Sequence, residues 1–195
     1  LQALNQVRAL HHLPPAELDS FFDMQVQQAS LVQRANNYLN HLPDPGDTCY
    51  TAAAKDGSQT SNLSGSNQPA DPADDLFGWT NDNNNRAALM EAGHRRWMLF
   101  PELGFVSYGQ VEGYSTLKVF GFTRPSPASV SADLKYIALP YKTYPYVLVD
   151  MGDKPTPWSL SLVPPAGASS SYDYFSNAMV AVTARGSGRQ LSVRG

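Results

Sequence analysis

The segment "EAGHRRWMLF" (91–100) places one histidine beside two arginines and a tryptophan. Imidazole is the side chain that changes charge near neutral pH, and it serves as acid, base or metal ligand. The chain holds four histidines: His11, His12, His41 and His94. Glu91 lies three residues before His94, so on a continuous helix the two share a face as an acid–imidazole pair or a solvated surface pair. His11 and His12 stand just before Pro14 and Pro15, where exposure is expected. The lone Cys49 cannot form an internal disulfide and is expected to be a buried small apolar group or a bystander thiol.

These residues need elements to hold them. "LNQVRAL" (4–10) reads as a short amphipathic helix interrupted by "HHLPP" (11–15), whose prolines restrict the backbone and remove donors. Leu18, Phe22, Ala29, Val32, Ala35 and Leu39 recur at helical intervals, predicting one long helix over 16–40 with His41 at its end. "LPDPG" (42–46) then stops it. Residues 43–72 are rich in Pro, Gly, Ser, Asn and Asp and read as a long loop with one turn of helix at most. "DPADDLFGW" (71–79) opens with acids at the positive end of a short helix. "RAALMEAGHRRWMLF" (86–100) reads as another, kinked or restarted at Gly93, with Trp97, Met98 and Leu99 burying it and Arg95 and Arg96 reaching neighbouring acids.

Beyond residue 100 the period changes. "LGFVSYGQV" (103–111) and "YSTLKVFGF" (114–122), joined by "EG", predict an antiparallel hairpin with both faces covered. "YVLVD" (146–150), "WSLSLV" (158–163), "AMVAVTA" (178–184) and "QLSV" (190–193) read as short strands, and Trp158, Leu160 and Leu162 alternate with serines as in a half-buried one. The tyrosines at 136, 141, 144 and 146 suit either a sugar-binding surface or a packing seam between the core and this extension.

Hydrophobic residues make up 42% of the 195 and charged residues 16%, a globular balance rather than a disordered one. A formal net charge of −3 gives no attraction to a phosphate backbone, so nucleic acid is not an expected partner. No apolar run approaches the length of a membrane span. The chain opens on Leu1, so the lack of a visible targeting segment excludes nothing.

The order of a helix, a histidine, a loop carrying "SNLSG", a tryptophan, "GHRRWML" and a hairpin resembles the CAP superfamily, the cysteine-rich secretory, antigen-five and pathogenesis-related group with its SCP domain. "GHRRWMLFPELGFVSYG" carries the likeness most specifically, with "ANNYLNH" and "SNLSG" in the right order, and it is similar to the bacterial branch with Gly-His-Arg at the second histidine. The resemblance covers about residues 4–122 and, more loosely, a C-terminal extension. It implies an α+β fold, an α-β-α sandwich around a small antiparallel sheet, as a domain over 1–125, with a β-rich extension docked on it over 126–195.

The same resemblance implies a ligand cleft of His41, Ser61, Asp82 and His94. His41 and His94 match the family's two histidines, Asp82 falls where a Glu is usual in Trp-x-x-Glu, and Ser61 replaces the Glu of Gly-Glu-Asn-Leu. One carboxylate is thus shortened and one lost. His41, His94 and Asp82 remain as a weak set for a divalent metal such as zinc, with no cofactor required. Trp79 and Trp97 are expected as core or cleft-lining residues.

The expectation that follows is a secreted or envelope-associated bacterial binding module presenting a two-histidine polar cleft to an extracellular small molecule, lipid, glycan or peptide. The competing expectation is a hydrolase, metal-assisted or built on Ser61, a histidine and Asp82, acting on an extracellular peptide, glycan or ester. Oligomeric state is not legible in the sequence.

Overall fold

The computed structural model describes residues 1–66, 68, 71–83, 85, 92–149, 152, 155–163 and 179–192. The chain divides into two compact units, Leu1–Val163 and Pro164–Gly195. The compact first unit therefore runs past residue 125, the boundary read from the sequence.

The first unit is α+β. Its elements are α1 (Gln2–Leu10), β1 (Glu17–Leu18), α2 (Asp23–Asn36), α3 (Ala52–Gln59), β2 (Ser61–Gly65), α4 (Pro72–Asn81), α5 (Gly93–Met98), β3 (Phe105–Val111), β4 (Tyr114–Lys118), β5 (Tyr136–Leu139) and β6 (Ser159–Leu162). β3 and β4 form the expected hairpin, with Val111 opposite Tyr114 across the Glu112–Gly113 turn. β2 adds antiparallel to β4, and the sheet order is β1-β3-β4-β2. The sheet is mixed rather than purely antiparallel, because β1 runs parallel to β3. The chain leaving α1 docks there through Glu17 N–H to Gly104 O and Asp19 N–H to Val106 O, both 2.9 Å.

Alternation along the strands sorts the two faces. On one, the Ser30 hydroxyl of α2 donates to Thr116 Oγ1 and to Gly109 O, both at 2.9 Å. A side chain at Gly109 would strike the α2 backbone at 2.5 Å, and one at Gly57 would strike Gln25 O at 2.5 Å, so glycine sets both helix approaches. On the other face Val106 and Leu117 share a core with Leu4 and Val7 of α1, Leu76 and Trp79 of α4, and Met98 of α5. Helices therefore cover both sides of the sheet. Ile137, Leu139 and Leu148 belong to that same core.

Several local expectations change. The long helix over 16–40 resolves into β1, a 3₁₀ turn over Ser20–Phe22 and then α2, which ends at Asn36 with Asn37 left-handed (φ 53). Leu18 and Asp19 join the sheet edge, which removes them from any helix. His41 consequently follows a short irregular stretch rather than a helix end. The loop over 43–72 contains α3, started by the Thr51 hydroxyl capping Ala54 N–H at 2.9 Å. It also contains β2. Tyr146–Leu148 form a 3₁₀ turn rather than a strand, because Pro145 precedes them and Pro145 O accepts from Leu148 N–H.

In β6 the alternation is present but its apolar side faces outward: Trp158, Leu160 and Leu162 are 58%, 48% and 40% exposed. The serine side turns inward because the Arg95 guanidinium donates to Ser159 Oγ. Met98 and Leu99 are buried, whereas Trp97 lies on the surface, stacked on Phe120 at 4.5 Å between ring centroids. Among the described residues of the second unit, β7 (Val182–Thr183) and β8 (Gln190–Leu191) pair antiparallel across "RGSG".

Candidate functional site

α4 is the element that delivers Asp82. Asp71 caps its start by accepting from Ala73 N–H at 2.8 Å, Pro72 occupies the first turn, and Asp74 and Asp75 complement its positive end. Trp79 is buried and its indole N–H donates to Leu63 O at 3.0 Å, fixing the helix over β2. The helix ends as Asp82 turns left-handed (φ 51), a conformation that Asp tolerates better than most residues. Its carboxylate is thereby buried, with the residue only 2% exposed.

His94 meets that carboxylate. Its Nδ1 lies 2.9 Å from Asp82 Oδ1, and Arg95 N–H approaches Asp82 Oδ2 at 3.4 Å. A carboxylate only accepts, so Nδ1 carries the proton and the neutral ring keeps its lone pair on Nε2. The His94 side chain is 23% exposed, so the ring has a solvent-facing part. Behind it Asn62 Nδ2 of β2 donates to His94 O at 3.0 Å. Arg95 locks the base of the site. Its buried guanidinium donates to Thr80 O, Asn81 O, Pro157 O and Ser159 Oγ at 2.6–2.9 Å. Two of these acceptors come from the last turn of α4, whose C=O groups lack helical donors, and the expected acid is Asp82, which supports the Arg95 charge without a side-chain hydrogen bond. Burial lowers the Arg95 pKa to about 10.

His41 is held in an analogous way. The buried Gln33 side chain accepts from Asn40 N–H, and it donates to Asn40 O and to Ser58 Oγ. That places His41 Nδ1 2.7 Å from Ser58 O. A carbonyl also only accepts, so His41 again carries its proton on Nδ1 and leaves Nε2 free. The two histidine segments touch the same short stretch, His41 at Ser58 and His94 at Asn62.

The remaining expected residues fare differently. Ser61 Oγ is buried and has no hydrogen-bond partner, so neither histidine nor Asp82 activates it here. Among the described residues no three His, Cys, Asp or Glu side chains form a group that could hold a metal. Asp82 is occupied as the partner of the His94 ring. Among the described residues His41, His94 and Asp82 do not come together as one such group. Glu91 lies outside the described residues.

His11, expected exposed, is 2% exposed. Its Nε2 lies 3.0 Å from Tyr144 Oη, while Nδ1 has no partner. The turn before Pro14 folds back under the segment carrying Tyr141 and Tyr144, which accounts for the burial. Burial, then the nearby charges of Arg95 and His12, lower the His11 pKa to about 4. Burial pushes Tyr144 up to about 12. Of the two expectations for Cys49, burial fails and the bystander thiol stands: it is exposed on a left-handed turn (φ 63).

Three cations not anticipated as buried are Arg8, Arg95 and Lys118. Arg8 donates to the carbonyls of Pro14, Met98, Phe100 and Leu103. The visible signal was that Arg8 interrupts the apolar side of "LNQVRAL".

No protein-family model matches the chain, and no curated protein matches it. Among solved structures it is similar to an extracellular protein containing an SCP domain from Bacillus anthracis strain Ames, with a TM-score of 0.44 and 20% identity. That match covers 58% of this chain and 36% of the other, so this chain spans about a third of that protein's length.

Proposed function

We propose that this chain is a CAP-like binding module, extracellular or envelope-associated, whose polar cleft offers the Nε2 atoms of His94 and His41 to a ligand that donates hydrogen bonds. The observation that supports this reading most is the shared tautomer. Each ring uses Nδ1 on an internal acceptor, Asp82 Oδ1 at 2.9 Å or Ser58 O at 2.7 Å, and keeps its basic nitrogen for an outside partner. The motif "GHRRWMLFPELGFVSYG" supports the family side of the reading. The ligand class remains a small molecule, lipid, glycan or peptide.

The test uses Zn²⁺ as an Nε2-seeking probe, followed by the histidine ring resonances. His94 and His41 should shift at low metal while the buried His11 stays fixed. A shift confined to other residues contradicts the reading. Hydrolysis is the second reading, favoured by one observation: a buried Asp orienting a His is the base-and-orienter half of acyl-transfer machinery. With Ser61 unpaired, the nucleophile would be water. Turnover of p-nitrophenyl acetate that disappears in His94→Gln would support it, and turnover unchanged in that variant would remove it.

A further inference from the structure

A cleft of about 140 Å³ opens between the C-terminal end of α5 and the chain leaving β4, lined in part by Trp97, Phe100, Phe105, Phe120, Phe122 and Arg124. Nothing in the polar site above uses it. Its walls are aromatic and only partly covered: Trp97 and Phe100 are 39% and 43% exposed, and Trp97 stacks on Phe120. The volume suits one ring-sized group, since a cavity of about 150 Å³ takes benzene.

The charges around it select the sign of the ligand. Arg124 lies over the Phe105 ring at 4.1 Å and, among the described residues, pairs with one carboxylate, Asp19 Oδ2, at 3.3 Å. Its side chain is 55% exposed, so donors remain open to solvent. Lys118 sits below, buried, with Nζ over the rings of Phe22 at 4.6 Å and Phe122 at 5.5 Å. It donates to two neutral oxygens, Gln25 Oε1 and Thr60 Oγ1, and the Asp56 carboxylate supports its charge from nearby. Two of the rings that line the cleft, Phe105 and Phe122, therefore already carry a cation on a face. A further cation in the cleft would meet repulsion from these two, while an anion would find the solvent-facing donors of Arg124. Glu102 on the rim is exposed and opposes this only through solvent.

We propose that this cleft binds a small aromatic carboxylate, its ring against Trp97, Phe100 and Phe122 and its carboxylate on Arg124. Phenylacetate is the probe, and phenethylamine, of nearly the same size and opposite charge, is its control. Titration of the full chain, followed by Trp97 indole and Phe100 ring resonances, should show saturable phenylacetate binding at least about tenfold tighter than phenethylamine. That ratio corresponds to one charge-assisted contact. Arg124→Gln should weaken phenylacetate about tenfold. Should that variant fail to fold after losing its contacts to Asp19 and Phe105, Glu102→Gln gives the answer from an exposed position, tightening phenylacetate about twofold and weakening the amine. Equal or tighter amine binding, perturbation mapping elsewhere, or no saturable binding would overturn the proposal.

Discussion

His94 and His11 are the same side chain in opposite surroundings. His94 is partly exposed and backed by a carboxylate at 2.9 Å. His11 is buried, with its ring Nε2 3.0 Å from the Tyr144 phenol oxygen and its Nδ1 orphaned. A carboxylate acceptor fixes the tautomer of the ring it faces, whereas burial beside a phenol opposes protonation of His11. The first arrangement suits an exchange of protons or hydrogen bonds with an outside molecule. The second suits a neutral packing group. Arg95 links the two: its backbone N–H approaches Asp82, and its charge helps depress His11.

The largest perturbation of this contrast is truncation. Ending the chain at residue 125 removes Ile137, Leu139 and Leu148 from the core, Tyr144 from His11, and two acceptors from Arg95. Burial of those three aliphatic side chains alone is worth about 6 kcal/mol. The fragment should fail to give a cooperative melt, and a fragment melting with the full chain would show that both histidine regions stand without this segment. Next is Arg95→Met, which strands the buried Thr80 O and three half-buried oxygens and should cost about 4 kcal/mol in urea unfolding. By removing its charge it should also make His11 easier to protonate.

Acidification should act through His11. An unfolded histidine takes a proton near its ordinary value of 6.5, the folded one only near 4. Between those values the unfolded state holds more protons, so this stabilisation is complete above 6.5 and is lost as pH falls toward 4. The total is about 3 kcal/mol. Urea midpoints of the parent and His11→Phe, compared at pH 7 and 4.5, should diverge, with the parent losing more. The smallest effect belongs to Cys49→Ser, within about 0.5 kcal/mol for an exposed position. The native thiol should react with a maleimide without unfolding.

The contrast between the two histidines was half legible in the sequence. The hairpin over 105–118, the acid- and proline-capped α4 and the pairing of Asp82 with the His94 region all follow signals that act locally or repeat a known pattern. His11 was misread because its burial depends on Tyr141 and Tyr144, 130 and more positions away, which no local period reports. The same holds for α3. "AAAKDGSQ" has a glycine and a serine that argue for a loop, yet Gly57 is what lets α2 approach, and Ser58 serves Gln33. "WSLSLV" showed the strand but not its sense, because the choice of face was made by Arg95 across the fold. Buried cations are the hardest case, since the partners that bury Arg8 and Lys118 lie far along the chain, Met98 for the first and Phe22 for the second.

The most direct test of the account is the tautomer of His94, read from long-range ¹H–¹⁵N correlations in the neutral ring. The account predicts a proton on Nδ1 in both His94 and His41, with Asp82→Asn changing the His94 pattern and leaving His41 unchanged. A neutral His94 with its proton on Nε2, or a pattern indifferent to Asp82→Asn, would contradict it.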